Sequence, residues 1–257
     1  KEVHRVAERI ASRISTRQTK KSLPTNREGK TERLPSVDVL PTKEGEWLIL
    51  ASCDYMLNGD SEGHNIRKRL VDQGVPFSHN GFRYIPHTMI EAVDAWKELK
   101  QKKKITVGRL ETIYRYLSKT EVKRGFLSAP EEEDKSKVVK KKEVVDLFGL
   151  EKECLDKTWE EVFSKKIKEQ KRAFIKKALK NKEDLHSEPR ISLSTIHKAK
   201  GGEADNVAVL LDLSPAQKLN ATLNADSLHR QFYVAVTRAR ENLFLINAQN
   251  ETLQYGL

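Results

Sequence analysis

Two short segments near the end of this 257-residue chain concentrate hydroxyl, imidazole, ammonium, carboxylate and guanidinium groups. The first is Ile191-Ser192-Leu193-Ser194-Thr195-Ile196-His197-Lys198-Ala199-Lys200-Gly201-Gly202-Glu203-Ala204-Asp205. It is an apolar alternation that turns into a polar, glycine-bearing loop ahead of a second apolar run, Val207 to Leu211. A strand that ends in donors places them at the carboxyl edge of a sheet, where α/β domains bind ligands, and glycine lets backbone approach an anion. The alternative for the same residues is an ordinary strand-loop-strand connection with an exposed polar loop.

The second segment is Leu228-His229-Arg230-Gln231-Phe232-Tyr233-Val234-Ala235-Val236-Thr237-Arg238-Ala239-Arg240. Arg230, Tyr233 or Val234, and Thr237 or Arg238 fall three and four apart, so a helical face presents Arg230 and Arg238 from its two ends. A guanidinium fork meets a γ-phosphate bidentately, which is the work of an arginine finger in phosphoryl transfer. Surface ion pairs with Asp226 and Glu241 are the competing use for these arginines. A third candidate fails on context. Gly29-Lys30-Thr31 ends like a phosphate-binding loop, but Pro24 stands where the pattern needs glycine, and Pro35 blocks the helix that should follow.

The elements that must hold these groups are legible as changes of period. Val3, Val6, Ala7, Ile10 and Ile14 recur at helical spacing with no cap before them, as at a cut edge. Trp47 to Ala51 reads as a buried strand, Glu62 to Gln73 as a helix stopped by Gly74, and Val75-Pro76-Phe77 as the start of a short strand. Thr88 to Glu91 looks like a capping box opening a helix with Ile90, Val93, Ala95 and Leu99. From there to about residue 185 the pattern is helical. Val107, Leu110, Ile113, Tyr114 and Leu117 form one stripe, and Thr158 with Glu161 predicts a cap for a long helix through Phe163, Ile167 and Phe174. Strands return at Ile191 to Thr195, Val207 to Leu211 and Leu243 to Ile246, with a helix over Leu228 to Thr237. The fold class is therefore α/β, interrupted by a helical insertion.

With 37% apolar and 33% charged residues the chain buries one sizeable core or two modest ones. The net charge of +11 attracts polyanions, nucleic acid before anionic lipid, since the longest apolar run is far short of a membrane span. A soluble intracellular protein with no membrane partner is expected. Cys53 and Cys154 have no partner at metal spacing, so neither a disulfide framework nor a metal site is indicated. Between Lys135 and Lys182 sixteen Lys and Arg face eight Asp and Glu, so the positive field concentrates in the insertion. Lys168, Lys171 and Arg172, with Lys165, Lys166, Lys176 and Lys177, read either as a phosphate-tracking band for duplex or junction DNA or as a solvated face beside a flexible linker at Glu131 to Lys142.

Thr195-x-His197-x-x-Lys200-Gly201-x-Glu203 is similar to the fifth motif of the UvrD/Rep group of superfamily 1 DNA helicases, and Tyr233-Val234-Ala235-x-Thr237-Arg238-Ala239 to its sixth. The unit from Trp47 to Phe77 also resembles the strand and helix of that group's second motor domain. The resemblance covers roughly residues 1–80 and 186–257. It implies a RecA-like parallel-sheet domain from 1–85 and 186–257, with a mainly helical accessory insertion at 86–185. It further implies an ATP-dependent, 3′ to 5′ translocase whose ATP and Mg²⁺ are bound mainly by an N-terminal motor domain in the same protein.

On that resemblance Arg238 reaches the γ-phosphate, Arg230 supports it, and Glu203 faces the ribose, with Lys200 and Gly201 shaping the loop on the nucleotide side. Thr195 and His197 would meet single-stranded DNA. The chain departs from the group's pattern at Gly202 and at Ser227-Leu228-His229, which bears on Arg230 more than on Arg238. The competing classes are a non-catalytic nucleic-acid-binding module, which would lack the finger arginine, and a subunit of a helicase-nuclease.

Overall fold

A computed structural model describes residues 1–17, 28–58, 64–126, 134–199 and 202–257. They form two compact units, Lys1–Tyr84 with Pro189–Leu257, and Ile85–Glu188 between them. In chain order the first unit opens with α1 (Glu2–Ala11), β1 (Lys30–Leu34), β2 (Trp47–Ala51), α2 (Tyr55–Asn58), α3 (Ile66–Gln73), β3 (Phe77–His79) and β4 (Phe82–Arg83). The second contributes α4 (His87–Lys102), β5 (Lys104–Thr106), α5 (Val107–Tyr116), β6 (Val138–Lys140), α6 (Lys141–Asp146), α7 (Trp159–Val162) and α8 (Glu169–Lys180). The first unit then resumes with β7 (Ile191–Thr195), β8 (Ala204–Leu210), α9 (Pro215–Leu223), α10 (Ala225–Val236) and β9 (Ala239–Ile246).

Among the described residues the first unit holds a seven-stranded sheet in the order β1-β9-β8-β2-β7-β3-β4, parallel throughout except for the β3–β4 hairpin. β2 is central, and all five of its residues are buried, as a strand covered on both faces must be. One face of the sheet receives α1 and α10. Ala7 and Ile10 join Phe232, Ala235 and Val236 over Leu48, Leu50, Val207, Val209, Leu243 and Leu245. The ring of Phe232, itself fully buried, stacks on Tyr255 at 3.9 Å. Truncating such a ring costs about 3–5 kcal/mol, because transfer and cavity terms add. Gly74 ends α3 in the left-handed region at φ 70°, the conformation that glycine adopts without a Cβ penalty.

The residues after Gly29 form β1, a strand where a phosphate loop needs a helix. Four expectations need correction. Thr88 caps nothing: α4 begins at His87 behind Pro86 with no side-chain cap, and the Thr88 hydroxyl instead bonds Tyr116 at 2.8 Å. Proline one residue before the helix already fixes the entry dihedral. The Thr158–Glu161 capping box does form, but its helix ends after one turn at Val162, and α8 starts anew at Glu169. Phe163 and Ile167, both buried, lie in the turns between, so the lysines of 165–177 do not share one long helix. The insertion also contains a two-stranded antiparallel sheet, with β6 pairing β5 in the lysine-rich segment read as linker. A period of two over three residues, Val138-Val139-Lys140, is too short to register against the surrounding lysines.

Candidate functional site

Because β2, β3, β7, β8 and β9 are parallel, their carboxyl ends share one edge of the sheet and their amino ends the other. The first chemical segment crosses from one edge to the other. Thr195 closes β7 at the carboxyl edge, whereas Glu203 immediately precedes β8 at the amino edge. A strand of five to seven residues separates the edges by roughly 16–23 Å at ~3.3 Å per residue. The expectation that the loop presents all its groups at the carboxyl edge therefore holds for Thr195 but not for Glu203.

At the amino edge, α10 delivers the second segment. The helix ends at Val236, so Arg238 lies just past it and leads into β9. Its Nε donates to the Val234 carbonyl at 3.1 Å, Nη1 to the Gly202 carbonyl at 3.5 Å, and Nη2 lies 3.5 Å from the Thr237 hydroxyl. Ala204 N–H donates to the Arg238 carbonyl at 3.2 Å, which ties the two segments together one residue from Glu203. Arg240 faces three carboxylates, Glu203 at 3.6 Å, Glu46 at 3.7 Å and Asp205 at 3.7 Å. Arg238 has none: among the described residues its half-buried guanidinium is held only by neutral oxygens.

Arg230 goes elsewhere. Its guanidinium bonds the Thr16 hydroxyl and pairs with Asp226 at 3.7 Å, eight residues and roughly 12 Å of chain rise from Arg238. Asp226 also accepts from the backbone and hydroxyl groups of Ser15 and Thr16 at 2.8–3.0 Å. The Ser15 amide, then the Thr16 hydroxyl and amide, hold its carboxyl well below the usual carboxylate range. Arg230 and Asp226 thus fasten the segment after α1 to α10.

At the carboxyl edge Thr195 meets groups that the sequence reading did not single out. Asn80 accepts from Thr195 N–H at 3.2 Å and donates to Asp54 at 2.7 Å, while His79 Nε2 lies 2.8 Å from the same Asp54 oxygen. Burial pushes the Asp54 carboxyl up, but the bonds from Asn80 and His79 outweigh it and leave it below its ordinary value. The signal was present in Asn80-Gly81 between two apolar runs, the strongest short-range mark of a hairpin. His197 is exposed in the turn after β7, where Lys198 and Ala199 both donate to the Thr195 carbonyl at 3.0 Å. At the same edge of the sheet a buried pair, His64 Nε2 to Asp212 Oδ2 at 2.6 Å, joins the segment after α2 to the residues just past β8. Lys200 and Gly201 lie outside the described residues.

In the insertion, Arg172 donates to the Glu160 carbonyl at 2.8 Å and Lys176 lies 3.8 Å from the Glu160 carboxylate. Lys168 is exposed at the start of α8, and Lys171 is half-buried. Arg172 is thus occupied in holding α7 to α8. Cys154 donates to Glu121 at 2.6 Å, and burial, then that bond, push its thiol up to about 12. It is an inert structural thiol rather than a nucleophile.

The family model for the UvrD-like helicase C-terminal domain matches residues 6–250, through both sheet edges and the insertion. The chain belongs to this family. Within the chain, the segments ending at Glu203 and Arg240 meet through Gly202, Ala204 and Arg238 at the amino edge. No curated protein matches the chain. Among the described residues no helix is long and apolar enough to cross a membrane.

Proposed function

We propose that the chain is the second motor half of an ATP-dependent DNA helicase, with Arg238 as its arginine finger and the carboxyl edge as part of the single-stranded DNA track. The observation that carries the reading is the difference among three arginines of one segment. Arg230 and Arg240 have carboxylate partners, whereas Arg238 is aimed by carbonyls and has none among the described residues. A partly buried guanidinium without a counter-ion favours an anion, and a fork fixed at Nε, with its Nη groups held only by 3.5 Å contacts to Gly202 and Thr237, keeps N–H donors for phosphate oxygens.

ATP with Mg²⁺ supplies the transferable phosphoryl group when bound. The residues here fit its outer side: Arg238 for the γ-phosphate and Glu203, half-exposed beside it, for a ribose hydroxyl. The phosphate loop and metal ligands belong to an N-terminal motor domain, since the sequence here holds no complete phosphate-loop pattern. Arg238 stabilises charge that develops on the phosphoryl group, and closure between the motor domains brings it there. Thr195 and His197, at the opposite edge, hold the strand that each closure advances, in the 3′ to 5′ direction. Lys168, exposed at the start of α8, and Lys171 on its first turn meet duplex or junction phosphates, and Arg172 acts mainly by shaping the helix that carries them.

The test is turnover in the complete protein at saturating single-stranded DNA. Arg238→Ala lowers the ATPase rate by about three to five orders of magnitude, and Arg238→Lys does not restore it, because a point charge does not reproduce the planar fork. Near-normal turnover in Arg238→Ala rejects the finger. The 257-residue chain alone releases no phosphate above background. Steady release at an ordinary enzymic rate, on the order of 1–10³ per second, would remove the need for a second motor domain.

A further inference from the structure

Among the described residues at the carboxyl edge, Phe82 is the aromatic residue that the fold leaves most exposed. Phe82, the first residue of β4, is 79% exposed. Tyr84, two residues on and so on the same face, is stacked on Phe77 at 4.9 Å and has Arg67 5.8 Å over its ring. Phe82 has neither kind of cover among the described residues. It is presented by a tight hairpin in which Asn80 and Gly81 both take positive φ, 51° and 85°. That is the type I′ combination, which matches strand twist and so fixes where the next residue points. Nothing lies within 4 Å of where a Gly81 Cβ would be, so the tip is open.

The hairpin is fastened to the end of β7. Asn80 N–H donates to the Leu193 carbonyl at 2.8 Å, and the Asn80 side chain accepts from Thr195 N–H at 3.2 Å. His79 pairs with Phe82 across the hairpin and with Leu193 in the parallel register. Paired residues share a face and alternate residues return to it, so Leu193, Thr195, His79 and Phe82 project from the same side of the sheet. At ~4.8 Å per strand and ~3.3 Å per residue, the Phe82 backbone lies roughly 12 Å from that of Thr195. That spans roughly three to four nucleotides at the ~3.4 Å rise of a stacked strand.

We propose that Phe82 is a base-stacking platform for single-stranded DNA, placed at the edge-strand end of the track that begins at Thr195 and His197; this rests on the assignment of the carboxyl edge as that track. Its surroundings select the ligand. Its cross-strand partner is His79 and its hairpin neighbour Asn80, both bonded to Asp54, so a lone ring among hydrogen-bonding side chains suits a nucleobase, with its π-face and polar rim, better than an apolar protein patch. Stacking tolerates any base, which a translocating motor requires.

The experiment uses the 257-residue chain and fluorescence anisotropy with labelled oligothymidylate, and with the same oligonucleotide made abasic over its central positions. Phe82→Ala weakens oligothymidylate binding about five- to hundred-fold, the range expected for one stacked base, and leaves abasic binding unchanged. Phe82→Trp binds like the parent, with indole emission quenched on adding oligothymidylate only. Unchanged oligothymidylate affinity in Phe82→Ala, with weakened binding in His197→Ala, overturns the platform and leaves the track. Equal loss on both oligonucleotides overturns it as a merely structural hairpin. No binding by the parent chain, or no loss in His197→Ala either, overturns the track and the platform with it.

Discussion

At the amino edge of the sheet the charged groups are exposed or half-buried and reach each other over 3.6–3.7 Å, with Arg240 among Glu46, Glu203 and Asp205. At the carboxyl edge the contacts are shorter: His64 to Asp212 at 2.6 Å, both buried, and the half-exposed Asp54 to Asn80 and His79 at 2.7 and 2.8 Å. Loose pairs in high dielectric contribute little to stability but reorient at little cost when a ligand arrives. Short, buried ones fix geometry and are expensive to break. One sheet thus presents an adjustable end, suited to a phosphoryl group that comes and goes, and a rigid end, suited to gripping a strand.

The comparison breaks most visibly at its rigid end. His64→Ala leaves Asp212 buried with its Oδ2 unpartnered, and removing one member of such a pair costs about 3–5 kcal/mol, read as a fall in the denaturant midpoint. A cost under ~1 kcal/mol would make the carboxyl edge as loose as the amino edge. At the amino edge, Arg240→Ala changes stability by no more than about 1 kcal/mol, since its three partners are each about half-exposed to solvent. The same denaturation curves check it, and a loss comparable to that of His64→Ala would erase the contrast.

Asp226 sharpens the picture through pH. Its folded-state pKa lies below the ordinary value of about 3.9, so its contribution is full above that value and is lost as pH falls toward the folded pKa. The stability difference between the parent and Asp226→Asn is therefore constant from about pH 8 to 5 and shrinks below about pH 4. A difference that grows on acidification contradicts the assignment of Asp226 as a bonded carboxylate. The smallest effect belongs to Arg230→Ala, which loosens this surface network but leaves ATP turnover within about two-fold, being two helical turns from Arg238.

Much of this was readable before the fold. The continuous apolar run Trp47 to Ala51 is a buried central strand, because burial on both faces leaves one residue class to choose from, and the alternation Ile191 to Thr195 is the strand paired beside it. Arg238 and Thr195 stood out by motif, but their placement at opposite edges depends on the register of β2, β7 and β8, which is non-local. Arg230 looked like an ally of Arg238 because helical spacing says which residues share a face, not which partner from a distant segment captures one of them. The Ser15 and Thr16 hydroxyls that bind Asp226 are over two hundred residues away. The long helix expected through Phe163 failed for a different reason. Phe163 and Ile167 keep an apolar spacing of four across a break, since both turn inward from irregular backbone, and periodicity reports burial rather than continuity.

The division of labour between the two edges is tested most directly by measuring, in the complete protein, both single-turnover ATP hydrolysis and single-stranded DNA affinity for Arg238→Ala and for Thr195→Ala/His197→Ala. Arg238→Ala loses at least about three orders of magnitude in hydrolysis while its DNA affinity stays within about three-fold, and the Thr195/His197 variant loses DNA affinity but regains near-parental hydrolysis once DNA is saturating. Loss of both properties together in either variant, or intact hydrolysis in Arg238→Ala, contradicts the assignment of separate tasks to the two ends of the sheet.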